Sequence, residues 1–117
     1  MATFSKIKLS GSTSGRGIKV VQTATAGTAI HTAVAGAADY DEVYLYAVNS
    51  HTAAVTLTIE FGGVTSPDDL IKITIPITSG LFLVVPGLVI NGGLGIAAFA
   101  SVANVITIFG FANRITA

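Results

Sequence analysis

The sequence predicts an all-β fold, an antiparallel β-sandwich or barrel of about eight strands preceded by an N-terminal arm. Three observations predict it. Short apolar stretches alternate with polar residues at period two, turn-forming residues recur between them, and no stretch carries an amphipathic helical stripe. The alanine-rich patches Ala33 to Ala38 and Gly95 to Ala103 contain Gly or β-branched residues, which weaken a helix.

The clearest stretch runs from Asp41 to Phe61, DEVYLYAVNSHTAAVTLTIEF. Val55, Leu57, Ile59 and Phe61 alternate with Thr56, Thr58 and Glu60, the pattern of a strand with one dry face. Val43, Leu45 and Ala47 form one side of the preceding strand, with Tyr44, Tyr46 and Val48 on the other, so both of its faces can be covered. Asn49, Ser50 and His51 tolerate a turn, and the pair reads as two strands folded back on each other.

Taken in order, residues 1–17 read as a basic arm rich in Gly and Ser, mobile unless a partner holds it, and residues 18–117 as a single sandwich domain. Strands are expected at about Ile18–Thr25, Thr28–Val34, Asp41–Asn49, Ala54–Phe61, Leu70–Ile75, Leu81–Val85, Leu94–Ala100 and Asn104–Arg114. Gly27, Gly36, Gly62-Gly63, Ser66-Pro67-Asp68-Asp69, Ser79-Gly80 and Pro86-Gly87 punctuate them. In the last strand Val105, Thr107, Phe109 and Phe111 share one side while Ile106 and Ile108 take the other, which suits the middle of a sheet. Leu81–Val85 and Leu88–Ile90 have the same doubly apolar character and, left as open edges, would aggregate, so a neighbour is expected to cover them.

The 117 residues suffice for one core. Apolar residues make up 51% and charged residues only 10%, against about 25% in an ordinary soluble domain. So thin a charge cover implies either hydroxyl groups wetting the surface or a surface hidden in an assembly. Net charge is zero, which argues against general nucleic-acid binding. Its distribution is uneven, because Lys6, Lys8, Arg16 and Lys19 all precede the first acid, Asp39. Such an arm suits an acidic partner surface. The uncharged run Leu81 to Ala100 is long enough to span a bilayer, yet Pro86-Gly87 and Asn91-Gly92-Gly93 cut it into strand-sized pieces, so no membrane partner is expected. MATFSKIKLSGS lacks the apolar run of a secretory signal, which predicts synthesis in a cytoplasm.

Chemistry is sparsely represented. Without cysteine there is no disulfide, thiolate zinc site or cysteine nucleophile. His31 falls within a strand and His51 in a turn, neither with a second histidine at ligand spacing, so each is read as satisfied by backbone or water. Asp39, Asp41, Glu42, Asp68 and Asp69 fall beside turn formers without a calcium-loop spacing. GSTSGRG matches neither the phosphate loop nor the nucleophile elbow, having Thr13 where the elbow needs Ser. No enzyme, cofactor or metal is therefore expected.

Five segments together resemble a known group: SGSTSGRGIKV at Ser10 to Val20, GTAIHTAV at Gly27 to Val34, DEVYLYAVNSHTAAVTLTIEFGG at Asp41 to Gly63, TSPDDLIKITIP at Thr65 to Pro76 and VITIFGFANRIT at Val105 to Thr116. The pattern is similar to that of small decoration or cement proteins on the heads of tailed bacteriophages of marine or cyanobacterial type. The resemblance implies a jelly-roll-like sandwich, a homotrimer, a place on the capsid surface of the virion and the major capsid protein as partner. On this expectation Lys6, Lys8, Arg16 and Lys19 dock to the capsid, and Tyr44, Tyr46, Phe82, Val84 and Phe99 form subunit contacts. Another phage role in tail, fibre or head-tail connector is the alternative, and a sugar-binding module stacking on Tyr40, Tyr44 and Tyr46 is a further one.

Overall fold

A computed structural model describes residues 2–117. The first residue of the expected arm therefore lies outside the described residues. Among the described residues nine strands form two antiparallel sheets: β1 (Thr3–Lys8), β2 (Ile18–Lys19), β3 (Thr28–Thr32), β4 (Tyr40–Asn49), β5 (Val55–Phe61), β6 (Leu70–Ile75), β7 (Phe82–Ile90), β8 (Gly95–Ala100) and β9 (Ile106–Thr116). Sheet A runs β1-β9-β4-β7, with β2 also paired to β9, and sheet B runs β3-β8-β5-β6. The fold is the predicted antiparallel β-sandwich.

Alternation places the core. Val43, Leu45 and Ala47 of β4 with Ile106 and Ile108 of β9 point inward from sheet A, and Leu57 and Ile59 of β5 with Ile96 and Ala98 of β8 belong to the same buried cluster. All are at most 1% exposed, and burying each large aliphatic contributes about 1.5–3 kcal/mol. As expected, β9 lies inside its sheet, between β1 and β4. It can approach β4 closely because residue 110 is glycine: a Cβ there would collide with the Tyr44 carbonyl oxygen and crowd the Leu45 side chain.

Three expectations are corrected. First, β4 and β5 are not a paired hairpin: β4 pairs with β7 and β9, whereas β5 pairs with β6 and β8 in the other sheet. The crossing is held by Asn49, which donates from Nδ2 to the carbonyls of Ala53 and Ile75 at 3.0 Å each and accepts from the His51 N–H at 2.8 Å. Second, Pro86-Gly87 does not end a strand. The β4–β7 register shifts around Tyr44, a bulge that absorbs the proline, and Gly87 takes φ 95° with a ring of Tyr44 where a side chain would sit. The strand therefore continues to Ile90 as the open edge of sheet A, rather than lying mid-sheet.

Third, the arm is not a free tail. Thr3–Lys8 pairs with β9 along its whole length, from Thr3 opposite Thr116 to Lys8 opposite Phe111. Leu9 is then buried at 2% exposure, and the chain crosses to sheet B, where the Gly11 N–H donates to the Ile30 carbonyl at 2.9 Å. Ile7 and Leu9 anchor it because they alternate with Lys6 and Lys8, apolar inward and charged outward. The Gly/Ser stretch after them is a loop between β1 and β2, closed by hydrogen bonds from Ser12 to Leu9 and from Arg16 to Thr13.

Candidate interaction face

The outward side of sheet A carries the largest gathering of aromatic residues. Cross-strand partners share a face, so the register lines up Lys8, Phe111, Tyr44 and Pro86 in one row and Phe109, Tyr46 and Leu83 in the next. Beyond them lie Lys6, Asn113, Glu42 and Val89. Phe109 is 36% exposed, Leu83 49% and Val89 58%, so much of this apolar face meets solvent. The Tyr44 and Phe111 rings stack with centroids 5.0 Å apart, and the Lys6 ammonium lies 4.7 Å from the Phe111 centroid. Desolvation, together with the neighbouring Glu42 carboxylate, pushes the Tyr44 hydroxyl above its ordinary pKa. Glu42 itself accepts from the Asn113 side-chain amide at 3.0 Å.

The predicted docking cations all border this face on the side of β1 and β2. Lys6 and Lys8 come from β1, Lys19 lies opposite Thr107, and Arg16 lines a shallow groove of about 530 Å³ with Thr13, Gly17, Thr107 and Phe109. Gly17 lets the loop press onto the face, since a Cβ there would strike Thr107 and the Phe109 ring. Among the described residues the one pairing of a Lys or Arg with a carboxylate is Arg114 with Asp41, so none of these cations is paired with an acid.

The predicted subunit contacts divide. Tyr44 and Tyr46 belong to the outward face of sheet A. Val84 does not, being 8% exposed and part of the core, and Phe82 packs against the same core. Alternation puts Phe82 and Val84 on one side of β7, and the pairing of Phe82 with the buried Ala47 makes that side the inner one, which the sequence alone could not assign. Phe99 pairs with Thr58 in sheet B, so it is on a different sheet from the tyrosines.

One buried polar cluster escaped the sequence reading. Asp41 has no solvent exposure and accepts from Arg114 Nε at 2.8 Å and Arg114 Nη2 at 2.9 Å, and from the Val34 N–H at 3.2 Å. His31 Nδ1 accepts the Ser10 N–H at 3.0 Å, which leaves the Nε2 proton to be donated to Asp41 at 2.9 Å. Burial would raise the Asp41 carboxyl, but Arg114 and then His31 outweigh it and hold it below the ordinary carboxylate range. The visible signal was phase: Asp41 alternates with Val43, Leu45 and Ala47 and so belongs to the inner side of β4, not to a turn.

This cluster fastens the two sheets to each other. The Ser10 hydroxyl accepts from the Thr32 N–H at 2.7 Å, and it is the Ser10 backbone, not its hydroxyl, that meets the imidazole. Glu60, 1% exposed, is likewise used up, accepting the Thr25 hydroxyl at 2.6 Å and the Gly27 N–H at 2.7 Å. It secures the 20–27 loop over sheet B, beside a hollow of about 290 Å³. Among the described residues no group of three or more His, Cys, Asp or Glu could hold a metal ion, and no helix is long and apolar enough to cross a membrane.

Compared with models of protein families, with curated proteins and with solved structures, the chain matches none.

Proposed function

We propose that this chain is a non-enzymatic structural protein of a virus particle, a decoration or cement protein that assembles as a trimer on the outside of a phage head and stabilises the shell. One observation carries the proposal: sheet A offers a broad aromatic face, open to solvent and bordered on one side by cations without acidic partners. A surface of that kind suits protein contact. The β1–β2 side, with Lys6, Lys8, Arg16 and Lys19, grips the major capsid protein, and the β7 side, with Leu83 and Val89, meets neighbouring copies. Weak contacts repeated over a symmetric shell add by avidity, so a small subunit can clamp a large assembly.

Strand order supports the jelly-roll form of the sandwich. With β1 and β2 counted as one interrupted strand, sheet A reads first, eighth, third, sixth and sheet B second, seventh, fourth, fifth. Two nested sheets of this kind are common in capsid-associated domains. A sugar-binding role fits less well, because Tyr44 and Phe111 stack on each other and Lys6 lies over Phe111, leaving fewer ring faces for a pyranose.

The test is electron microscopy of virus particles labelled with antibody to the chain. Label spread over head faces is expected. Label confined to the tail axis transfers the protein to a tail, fibre or connector role, and particles without label end the proposal. Light scattering of the purified protein tests the trimer, and a monomer at high concentration would remove it.

A further inference from the structure

The cations beside sheet A are arranged as a line. Lys19 lies opposite Thr107, Lys8 opposite Phe111 and Lys6 opposite Asn113, with Arg16 near Thr107 and Phe109. At about 3.4 Å per residue, the line from Thr107 to Asn113 extends roughly 20 Å parallel to β9. Lys6 and Lys8, two residues apart on one strand, present charge about every 7 Å. Directly alongside runs an apolar line, Phe109 and Phe111 backed by Tyr46 and Tyr44.

We infer that this face takes an extended segment of a partner protein in which acidic and apolar side chains alternate. Successive side chains of an extended segment point to opposite sides at about 7 Å intervals, so one side matches the cation line and the other the aromatic line. The inference rests on the reading of sheet A as a protein-contact face and names what that face accepts.

One feature favours a peptide over a single nucleic-acid strand, whose phosphates would also suit the cations. The Tyr44–Phe111 stack and the Lys6 contact occupy the ring faces on which bases would lie. The Arg16 groove, with Thr13 and Thr107 as hydroxyl donors, receives one carboxylate-bearing side chain at the end of the segment.

The experiment measures fluorescence anisotropy of a labelled peptide alternating Glu with Val, long enough to span the cation line, titrated with the purified protein. The expected result is saturable binding that weakens as salt rises. Replacing every Glu by Gln should weaken it, and the Lys8→Glu/Arg16→Glu double variant should lose about tenfold or more. Lys72→Glu, on β6 of the other sheet, should bind as the unmodified protein does. Thermal melts of both variants establish that they are folded. No saturable binding, equal binding of the Gln peptide, an equal loss in Lys72→Glu, or preferential binding of a thymidine oligonucleotide each overturns the inference. Antibody label on head faces together with any of these outcomes sinks the inference alone, whereas unlabelled particles sink the proposed function independently.

Discussion

Asp41 and Arg114 are direct partners across β4 and β9, joined by hydrogen bonds of 2.8 and 2.9 Å, with the acid fully shielded and the Arg114 side chain 32% exposed. The pair is more than a surface ion pair, because His31 from sheet B meets the same carboxylate. It ties both sheets and, through the Ser10 N–H on His31, the end of the first strand.

Arg114→Ala should therefore destabilise the fold clearly. Breaking a fully buried ion pair costs about 3–5 kcal/mol, and the partial exposure of Arg114 places this variant at or below the low end of that range. Urea unfolding of the variant against the parent protein measures the difference. A loss under about 0.5 kcal/mol, typical of exposed pairs, would show that the carboxylate finds other compensation.

Acid should weaken the protein through the same carboxylate. The Asp41 pKa is lowered by folding, so its contribution is fully present above the unfolded value of about 3.9 and is lost as pH falls through the lower folded value. Unfolding free energy followed downward from neutral pH should decline steeply in that acid range. Asp41→Asn should be weaker at neutral pH and lack that part of the decline.

Asn49→Asp should be worse than Asn49→Ala at neutral pH. The amide donates to two carbonyls, so an ionised carboxylate would face two acceptors in a site only 3% exposed, whereas alanine merely leaves them unpaired. Losing the amide alone should cost about 1–3 kcal/mol. Denaturation of both variants at neutral and acid pH checks the order, and the gap should narrow when the new acid is protonated.

Gly110→Ala should be severe and Gly95→Ala mild. A Cβ at Gly110 meets the Tyr44 carbonyl in the central pairing of sheet A, while at Gly95 it meets nothing within 4 Å. Overpacking of this sort costs about 1–3 kcal/mol or more, against changes within roughly 0.5 kcal/mol at unencumbered sites. Thermal melts of the two variants give the comparison.

Much of the fold was legible because its strands obey a local rule. Leu70–Ile75 has the predicted bounds, β4, β5 and β8 differ from expectation by one residue at the start, and β9 is shifted by two at both ends. What alternation cannot carry is which strand lies beside which. The same residues at Asn49 to Ala53 allow a hairpin or a crossing, and the choice is made by Asn49 reaching Ile75, distant in sequence. β2 shrinks to Ile18–Lys19 because Thr25 and Gly27 are drawn away to Glu60. Composition misled at the N-terminus, where Gly and Ser suggested a tail and the alternation of Ile7 and Leu9 with two lysines went unweighted.

The cation edge was visible as a cluster in sequence, but its neighbours were not. Lys6 precedes Phe111 by most of the chain, and only the pairing of β1 with β9 brings the two together. Val84 and Phe82 are apolar strand residues as Leu83 is, and only the pairing of β7 with β4, Phe82 opposite the buried Ala47, assigns them to the interior.

In sheet A β1 closes against β9, with Thr3 beside Thr116. A ribosome releasing the chain from the front therefore exposes Ile7 and Leu9 long before the core they pack into exists. Sheet A can zip shut only after synthesis reaches β9, so any premature stop upstream of that strand should yield a sticky fragment instead of a smaller working subunit.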